Sequence, residues 1–348
     1  MADIIEIDGS FGEGGGQIIR TAIALAAVSG KQCRIFNIRA KRRNPGLQAQ
    51  HLTAVNAIGK LCDAEIKGNV LGSTEIEFIP HGIKGGSLSL NVGTAGSTAL
   101  VLQAIMVPAT HCKTAMDIKI TGGTLNKWAP SVYYLNNITL LLLRKIGYIG
   151  NIVLHKHGFY PKGGGLVEAR IEPSNIHAMQ WIKSGKVLEI SGLCLASTDL
   201  QEAKVAERMQ KIARQGVFRE FQLSPKIKTE YVQSESTGCG IDILAVYETS
   251  VMGANAIGEP GKRAEKVAKE ALDELREIHN SDACLDRHMA DQIIPYMAFG
   301  AINDKKESAV KVLEITEHAR TNIWVVEKFL PVKFSVDENN RMIKCNRC

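Results

Sequence analysis

No apolar run in this chain is long. The longest, near 98–109 and 138–143, fall well short of the roughly 20 residues that a membrane-spanning helix requires, so no span is expected. No Gly-Lys-Ser/Thr closes the glycine-rich loop near the start, which excludes a Walker A site. Cysteines number eight but stand scattered, and only Cys345 and Cys348 have a paired spacing. Without a second pair, neither a zinc site nor a redox motif is expected, and reduced thiols in a cytoplasm are. Met-Ala-Asp-Ile-Ile-Glu has no basic n-region and no cleavage pattern, so no secretory signal is expected. Aromatic residues make up only 5% of the chain, and few accompany its densest basic cluster, so base stacking is not evident there.

What remains is a globular composition, 45% hydrophobic and 22% charged, over 348 residues. That length suits two or three domains, or one large domain with an insertion. The formal charge, 42 − 36 = +6, permits a polyanionic partner without demanding one.

The most informative segment is Phe11-Gly-Glu13-Gly-Gly-Gly-Gln17-Ile-Ile-Arg20. It follows a strand-like run, Ile4–Ile7, and precedes an apolar helical stretch, Ile18–Val28. Glycines leave backbone N–H groups bare, and a helix start adds the positive end of its dipole. The pattern is an anion site, and the lone acid Glu13 suggests an accompanying metal. A dinucleotide fingerprint fits poorly, because Gln17 stands where the third glycine belongs.

The chain reads as α/β (α+β), with an αβ unit repeated along it. Strands at 4–7, 34–38, 64–67 and 75–79 alternate with helices at about 16–28 and 47–62. The second unit has strands at 87–92, 117–121, 151–155 and 165–171, with helices at 97–107 and 131–146. An incomplete third unit has a helix at 287–300, a strand at 310–315, a loop at 316–321, a short helix at 322–329 and two closing strands. Residues 184–283 have their own α+β character and read as an inserted small domain. The large domain then comprises 1–183 and 284–348, each of its units a small sheet with two helices. Loops 39–46, 122–130 and 316–321 follow equivalent strands and can converge at one end.

Among nine histidines, His318 has the most suggestive context, in a loop ahead of a helix. It could act as a base, a metal ligand or a nucleophile toward phosphorus, or be an ordinary surface histidine. Arg39, Lys41, Arg42 and Arg43, with Gln48, Gln50 and His51, form the densest basic cluster, suited to phosphates or to a solvated loop. His155 and His157 share a strand face but lack a completing acid, and read as structural.

These residues together resemble the RNA 3′-terminal phosphate cyclases. The resemblance rests on Asp8-Gly-x-x-Gly-Glu13-Gly-Gly-Gly-Gln17-Ile-Ile-Arg20, Ile38-Arg-Ala…Pro45-Gly-Leu-x-x-Gln50-His51-Leu, Gly96-Ser-Thr-x-Leu-Val-Leu-Gln103 and His157-Gly-Phe-Tyr-Pro-x-Gly-Gly-Gly165. Ala290-Asp-Gln292 and His318-x-x-Thr-Asn322-x-x-Val-Val-Glu-x-Phe-Leu-Pro331 add to it. It runs nearly end to end and weakens only across the insert.

The resemblance implies a catalytic, ATP-dependent enzyme acting on RNA with a 3′-phosphate end, through a covalent histidyl-AMP and an RNA adenylate. His318 matches the nucleophile. Arg20 and Arg42 match phosphate contacts, Gln50 a polar position beside them, and Glu13 the holder of a divalent metal, Mg or Mn. Gln103 and His288-Met289-Ala290-Asp291-Gln292 match nucleotide-binding segments, and Pro130 is expected against one face of adenine. Some family members carry tyrosine where His288 stands; histidine offers a smaller stacking face. The alternatives are a non-catalytic cyclase-like binding factor in ribosome assembly, which lacks the histidine, and a small-molecule transferase on the same architecture.

Overall fold

Residues 4–348 are described by a computed structural model, and they pair short strands with apolar helices in one order three times. The first unit runs β1 (Ile5–Asp8), α1 (Gly16–Ser29), β2 (Cys33–Phe36), α2 (Ala49–Cys62), β3 (Glu65–Lys67) and β4 (Ile76–Ile79). The second runs β5 (Gly86–Asn91), α3 (Thr98–Ala109), β6 (Met116–Gly122), a three-part helix, β7 (Gly150–Lys156) and β8 (Gly165–Ile171). That helix is α4 (Val132–Tyr134), a π turn (Leu135–Thr139) and α5 (Leu140–Arg144). The third opens on β9 (Gln180–Trp181) and is then interrupted by β10 (Val187–Ser197), α6 (Val205–Phe221), β11 (Lys226–Val232), β12 (Cys239–Tyr247), β13 (Val251–Ile257) and α7 (Ala264–Asn280). It resumes with α8 (Met289–Gln292), α9 (Ile294–Asp304), β14 (Ser308–Lys311), α10 (Glu317–Phe329), β15 (Val332–Asp337) and β16 (Met342–Arg347).

Three sheets share one topology, β1-β2-β4-β3, β5-β6-β8-β7 and β9-β14-β16-β15. In each, the first strand pairs parallel to the second, and the remaining pairs are antiparallel. Parallel neighbours cannot be joined by a hairpin, so each needs a crossover, which α1, α3 and α9 supply. The fourth sheet, β11-β10-β12-β13, is wired differently: its first strand β10 lies between β11 and β12. It stacks with α6 and α7 around a separate apolar cluster.

The helices form the shared centre. In α1 the only charged residue is Arg20, and the helix packs against α2, α3 and α10. One apolar cluster runs through all three units.

Several elements differ from the sequence expectation. The third unit is not missing its first strand; β9 supplies it, and two residues carry no readable period. β13 is buried along nearly its whole length and so lacks alternation. The expected helix 287–300 is divided at Ile293, with Pro295 entering α9 in its first turn. The strand expected at 310–315 ends at Lys311, because the chain then pairs Val312 with Leu285.

Asp286 ties these parts together. Fully buried, it accepts from the Tyr134 hydroxyl at 2.6 Å and from the backbone N–H groups of His288, Met289 and Gly253 at 2.9–3.0 Å. It thereby joins the second unit, the interrupting segment and the start of α8. Asp286→Ala leaves these donors without an acceptor and is expected to cost at least roughly 3 kcal/mol. Asp286→Asn, which retains a carbonyl oxygen, is expected to cost less. Chemical denaturation midpoints of the two variants check this ordering.

Candidate active site

The glycine loop is pinned at its entrance, where the Asp8 carboxylate accepts from the Ser10 N–H and hydroxyl at 2.9 and 2.8 Å. Gly12 has φ +55°, and a Cβ there would stand 2.7 Å from the Thr321 hydroxyl, so the loop lies directly on α10. Glu13 is exposed; its Oε2 accepts from Arg42 Nη2 at 3.2 Å and lies 3.6 Å from His318 Nε2. A Cβ on Gly15 would meet Arg42 Nη2 at 3.4 Å and His318 Cε1 at 3.7 Å. Glycine loop, basic loop and histidine thus meet at one place, across almost the full length of the chain.

His318 stands in the first turn of α10, not in a loop before it. The helix begins early because Thr316 caps it, its hydroxyl accepting from the Ala319 N–H at 3.0 Å. α1 starts beside it, with Gly15 as a cap that offers no side chain and no acid in the first turn. The uncapped N–H donors of α1 and the positive dipole ends of both helices therefore come to the same spot, a setting for anions.

Behind them runs a polar seam. Gln17 Nε2 donates to Asp291 Oδ2 at 2.9 Å and to the His318 carbonyl at 3.0 Å. The Thr21 hydroxyl donates to Asn322 Oδ1 at 2.8 Å, and Asn322 Nδ2 donates to the Asp291 carbonyl at 2.8 Å. Next to the seam is a narrow cavity of about 70 Å³, lined by Gln17, Arg20, Gln103, Thr139, Asp291 and Gln292 among others. Gln17 Oε1 and Gln103 Nε2 are buried there without a hydrogen-bond partner. Such orphaned groups are costly unless a ligand or water engages them. Burial lowers the Arg20 pKa to about 10, opposed by Asp291, so it remains a cation. Burial raises Asp291 to about 6, with His318, His288 and Arg20 pulling the other way.

The basic loop divides its labour. Arg39 Nη1 donates to the carbonyls of Asn44 and Gly46 at 2.6 and 2.8 Å and so holds the loop's own shape. Lys41 reaches the Gly12 carbonyl at 3.0 Å, leaving Arg42 as the guanidinium at Glu13. Gln50 Oε1 accepts from the Ser97 N–H at 2.9 Å, a link from the first unit to the second. His51 is 4% exposed, and its Nδ1 accepts from the Gln48 N–H at 3.1 Å, which puts the proton on Nε2. Burial, with Arg20 and Arg39 nearby, pushes its pKa down to about 3. A Cβ on Gly16 would overlap the His51 ring, so only glycine fits where α1 starts.

His288 is half-buried, its ring edge-on to Tyr134 at 5.8 Å. Asp291 and Gln292 line the narrow cavity, and Thr139 donates to Gln292 Oε1 at 2.9 Å. Met289 and Ala290 are fully buried in the core. Pro130 is buried just ahead of Ser131, which caps α4.

A second cavity, about 570 Å³, separates the second unit from the β10–β13 sheet. Ser131, Tyr133, Asn136, His157, Lys228 and Asp242 lie on its wall. Asp242 is only 8% exposed, and the Ser131 hydroxyl donates to it at 2.6 Å. Burial lifts its pKa to about 7. Sequence reasoning passed over this acid, Asp286 and the pairing of Gln17 with Asp291 in the seam, while it named Asp291 by itself and placed His51 in the basic cluster. Of these only Gln17 left a signal, as a departure from the dinucleotide glycine pattern.

Comparison with known proteins follows the same lines. A family model for RNA 3′-terminal phosphate cyclase matches residues 11–336. The chain is 43% identical over 335 residues to an RNA 3′-terminal phosphate cyclase of Pyrococcus abyssi (strain GE5 / Orsay), covering 96% of this chain and 95% of that one. It is 43% identical over 341 residues to that of Pyrococcus furiosus, with the same coverage. The likeness to that of Methanosarcina barkeri is 41% over 341 residues, 98% of this chain and 99% of the other.

Two outcomes follow from the geometry. Gly16→Ala is expected to lower the thermal unfolding midpoint, and adding His51→Ala is expected to recover part of that loss. The recovery, read from a double-mutant cycle, measures the clash between the two positions. Asp242 holds a proton in the folded state that the unfolded chain releases near its ordinary value of 3.8. Stability is therefore expected to fall as pH rises from about 4 to about 7, because the folded state binds the extra proton. Asp242→Asn is expected to flatten that slope in denaturation curves collected across the same range.

Proposed function

The chain belongs to the RNA 3′-terminal phosphate cyclase family and is an enzyme of that kind, and from that premise we propose how its residues carry the reaction. The reading is ATP-dependent conversion of an RNA 3′-phosphate to a 2′,3′-cyclic phosphate, through a histidyl-AMP and an RNA adenylate. The observation that carries it is the meeting of Glu13, Arg42 and His318 where the uncapped start of α1 meets the start of α10.

An imidazole nitrogen of His318 attacks the α-phosphorus of ATP. A P–N bond forms, the bridging P–O bond breaks, and pyrophosphate leaves. An oxygen of the RNA 3′-phosphate then attacks the same phosphorus, the P–N bond breaks, and the imidazole is restored. In the last step the vicinal 2′-hydroxyl loses its proton and attacks the 3′-phosphorus, expelling AMP. A phosphate monoester is a poor electrophile with a poor leaving group. Adenylylation supplies the leaving group, and the neighbouring hydroxyl supplies proximity.

Arg42, Arg20 and the N–H groups at Gly15–Gln17 offset charge on the phosphates. Gln103, Asp291 and Gln292, with the orphaned Gln17 Oε1 and Gln103 Nε2, offer nucleotide hydrogen bonds. Gln50 lies beside the phosphates, and His288 and Pro130 are assigned to the adenine. Among the described residues no three His, Cys, Asp or Glu side chains cluster as a metal cage. The lone carboxylate of Glu13 therefore suits an ion such as Mg²⁺ or Mn²⁺ that takes its other ligands from phosphate oxygens and water. When bound, such an ion neutralises triphosphate charge.

In the same reading, residues 184–283 are an inserted small domain within a large domain of 1–183 and 284–348. A cytoplasmic setting is assigned as well, since all eight cysteines are unpaired. No helix among the described residues is long and apolar enough to cross a membrane.

Incubation with α-labelled ATP and a divalent cation is expected to label the protein with an acid-labile, alkali-stable adduct. His318→Ala is expected to abolish it, and Arg42→Ala to slow it by roughly 100-fold. An adduct that survives His318→Ala, or none with any divalent metal, contradicts the route.

A further inference from the structure

The loop between β6 and α4, residues 123–130, leaves one large side chain in water. Trp128 is 89% exposed, the most exposed of the large apolar side chains among the described residues. Its backbone has φ +68°, a left-handed conformation that bulky residues avoid and that concentrates at functional sites. A freely chosen conformation would fold the indole onto the surface and gain its burial.

The loop beneath it is firmly tied. The Thr124 N–H donates to the Gly158 carbonyl at 2.9 Å, and the Gly158 N–H to the Thr124 hydroxyl at 3.0 Å. Asn126 Nδ2 donates to the Ala95 carbonyl at 2.5 Å. Lys127 Nζ stands 5.1 Å from the Trp128 ring centre and is itself anchored to Glu259 at 2.9 Å. The indole is thus presented by a braced loop.

Its place in the repeat gives it a target. This crossover follows the second strand of its unit, as the loop carrying Arg42 follows β2 and the turn leading to His318 follows β14. Three residues beyond it, Ser131 caps the short helix whose Tyr134 faces His288. Single-stranded RNA is gripped chiefly by aromatic faces on which unpaired bases stack.

We propose that Trp128 is a base-stacking subsite for the RNA strand next to its 3′ end, holding the terminal phosphate toward His318. This rests on the reaction proposed above. Of the three tryptophans, Trp181 is buried and Trp324 is stacked on Phe11 at 4.2 Å, so Trp128 is the open fluorophore.

The test titrates a 3′-phosphorylated oligoribonucleotide without ATP and follows tryptophan emission. The wild-type chain is expected to show quenching that Trp128→Phe loses. In cyclisation assays Trp128→Ala is expected to raise the KM for the oligonucleotide roughly tenfold, with the KM for ATP unmoved and Trp128→Tyr restoring most of the loss. An unchanged oligonucleotide KM, or quenching retained in Trp128→Phe, overturns the subsite. A raised KM for ATP puts the indole on the adenine instead and overturns it as well. Failure of the wild-type chain to form the protein adduct counts against the histidyl-AMP route alone, because the emission measurement needs no ATP.

Discussion

Everything at this site depends on the junction between α1 and α10, where Gln17 bridges Asp291 and the carbonyl of His318. Residues about 300 positions apart are locked side by side by a buried polar seam, which Thr21 and Asn322 extend. Each such bond contributes only about 1 kcal/mol net, but a buried partner left unpaired costs more. The seam therefore selects one docking of the two helices over its neighbours more than it adds stability. The glycine loop precedes α1 and His318 opens α10, so fixing the helices also fixes the loop, the two helix starts and the histidine.

The repeated unit explains why the parts arrive together. Each of the three units sends a crossover from its first strand to a helix, and a second crossover from its second strand. In the first unit those crossovers are the glycine loop and the basic loop. In the third, the first crossover holds the whole β10–α7 segment, and the second ends at His318. The segment thus occupies the position that a glycine loop fills in the first unit. Asp286, gripped by Tyr134, Gly253 and the start of α8, closes the seam between that segment and α8.

Much of this was legible from residues alone. The glycine loop, the alternating strands and the uncharged α1 outside Arg20 announce a repeated αβ fold, and the long motifs announce the family. What escaped had physical reasons. β9 is too short to show a period, and β13 is buried on both faces. His318 reads as a loop residue because Thr321 and Asn322 are weak helix formers; their side chains are instead buried against Gly12 and Thr21. Gln17, Asp286 and Asp242 act through partners more than 30 residues away, and no local pattern encodes such pairs.

The central claim is that the glycine loop and His318 are two walls of one phosphate site. A crystal structure of the chain with Mg²⁺ and an ATP analogue blocked between its α- and β-phosphates tests it most directly. The account expects the α-phosphorus against the His318 imidazole, with the remaining phosphates along Gly12–Gln17 and beside Arg42. A triphosphate seated away from the glycine loop, or in the cavity walled by Asp242, contradicts it.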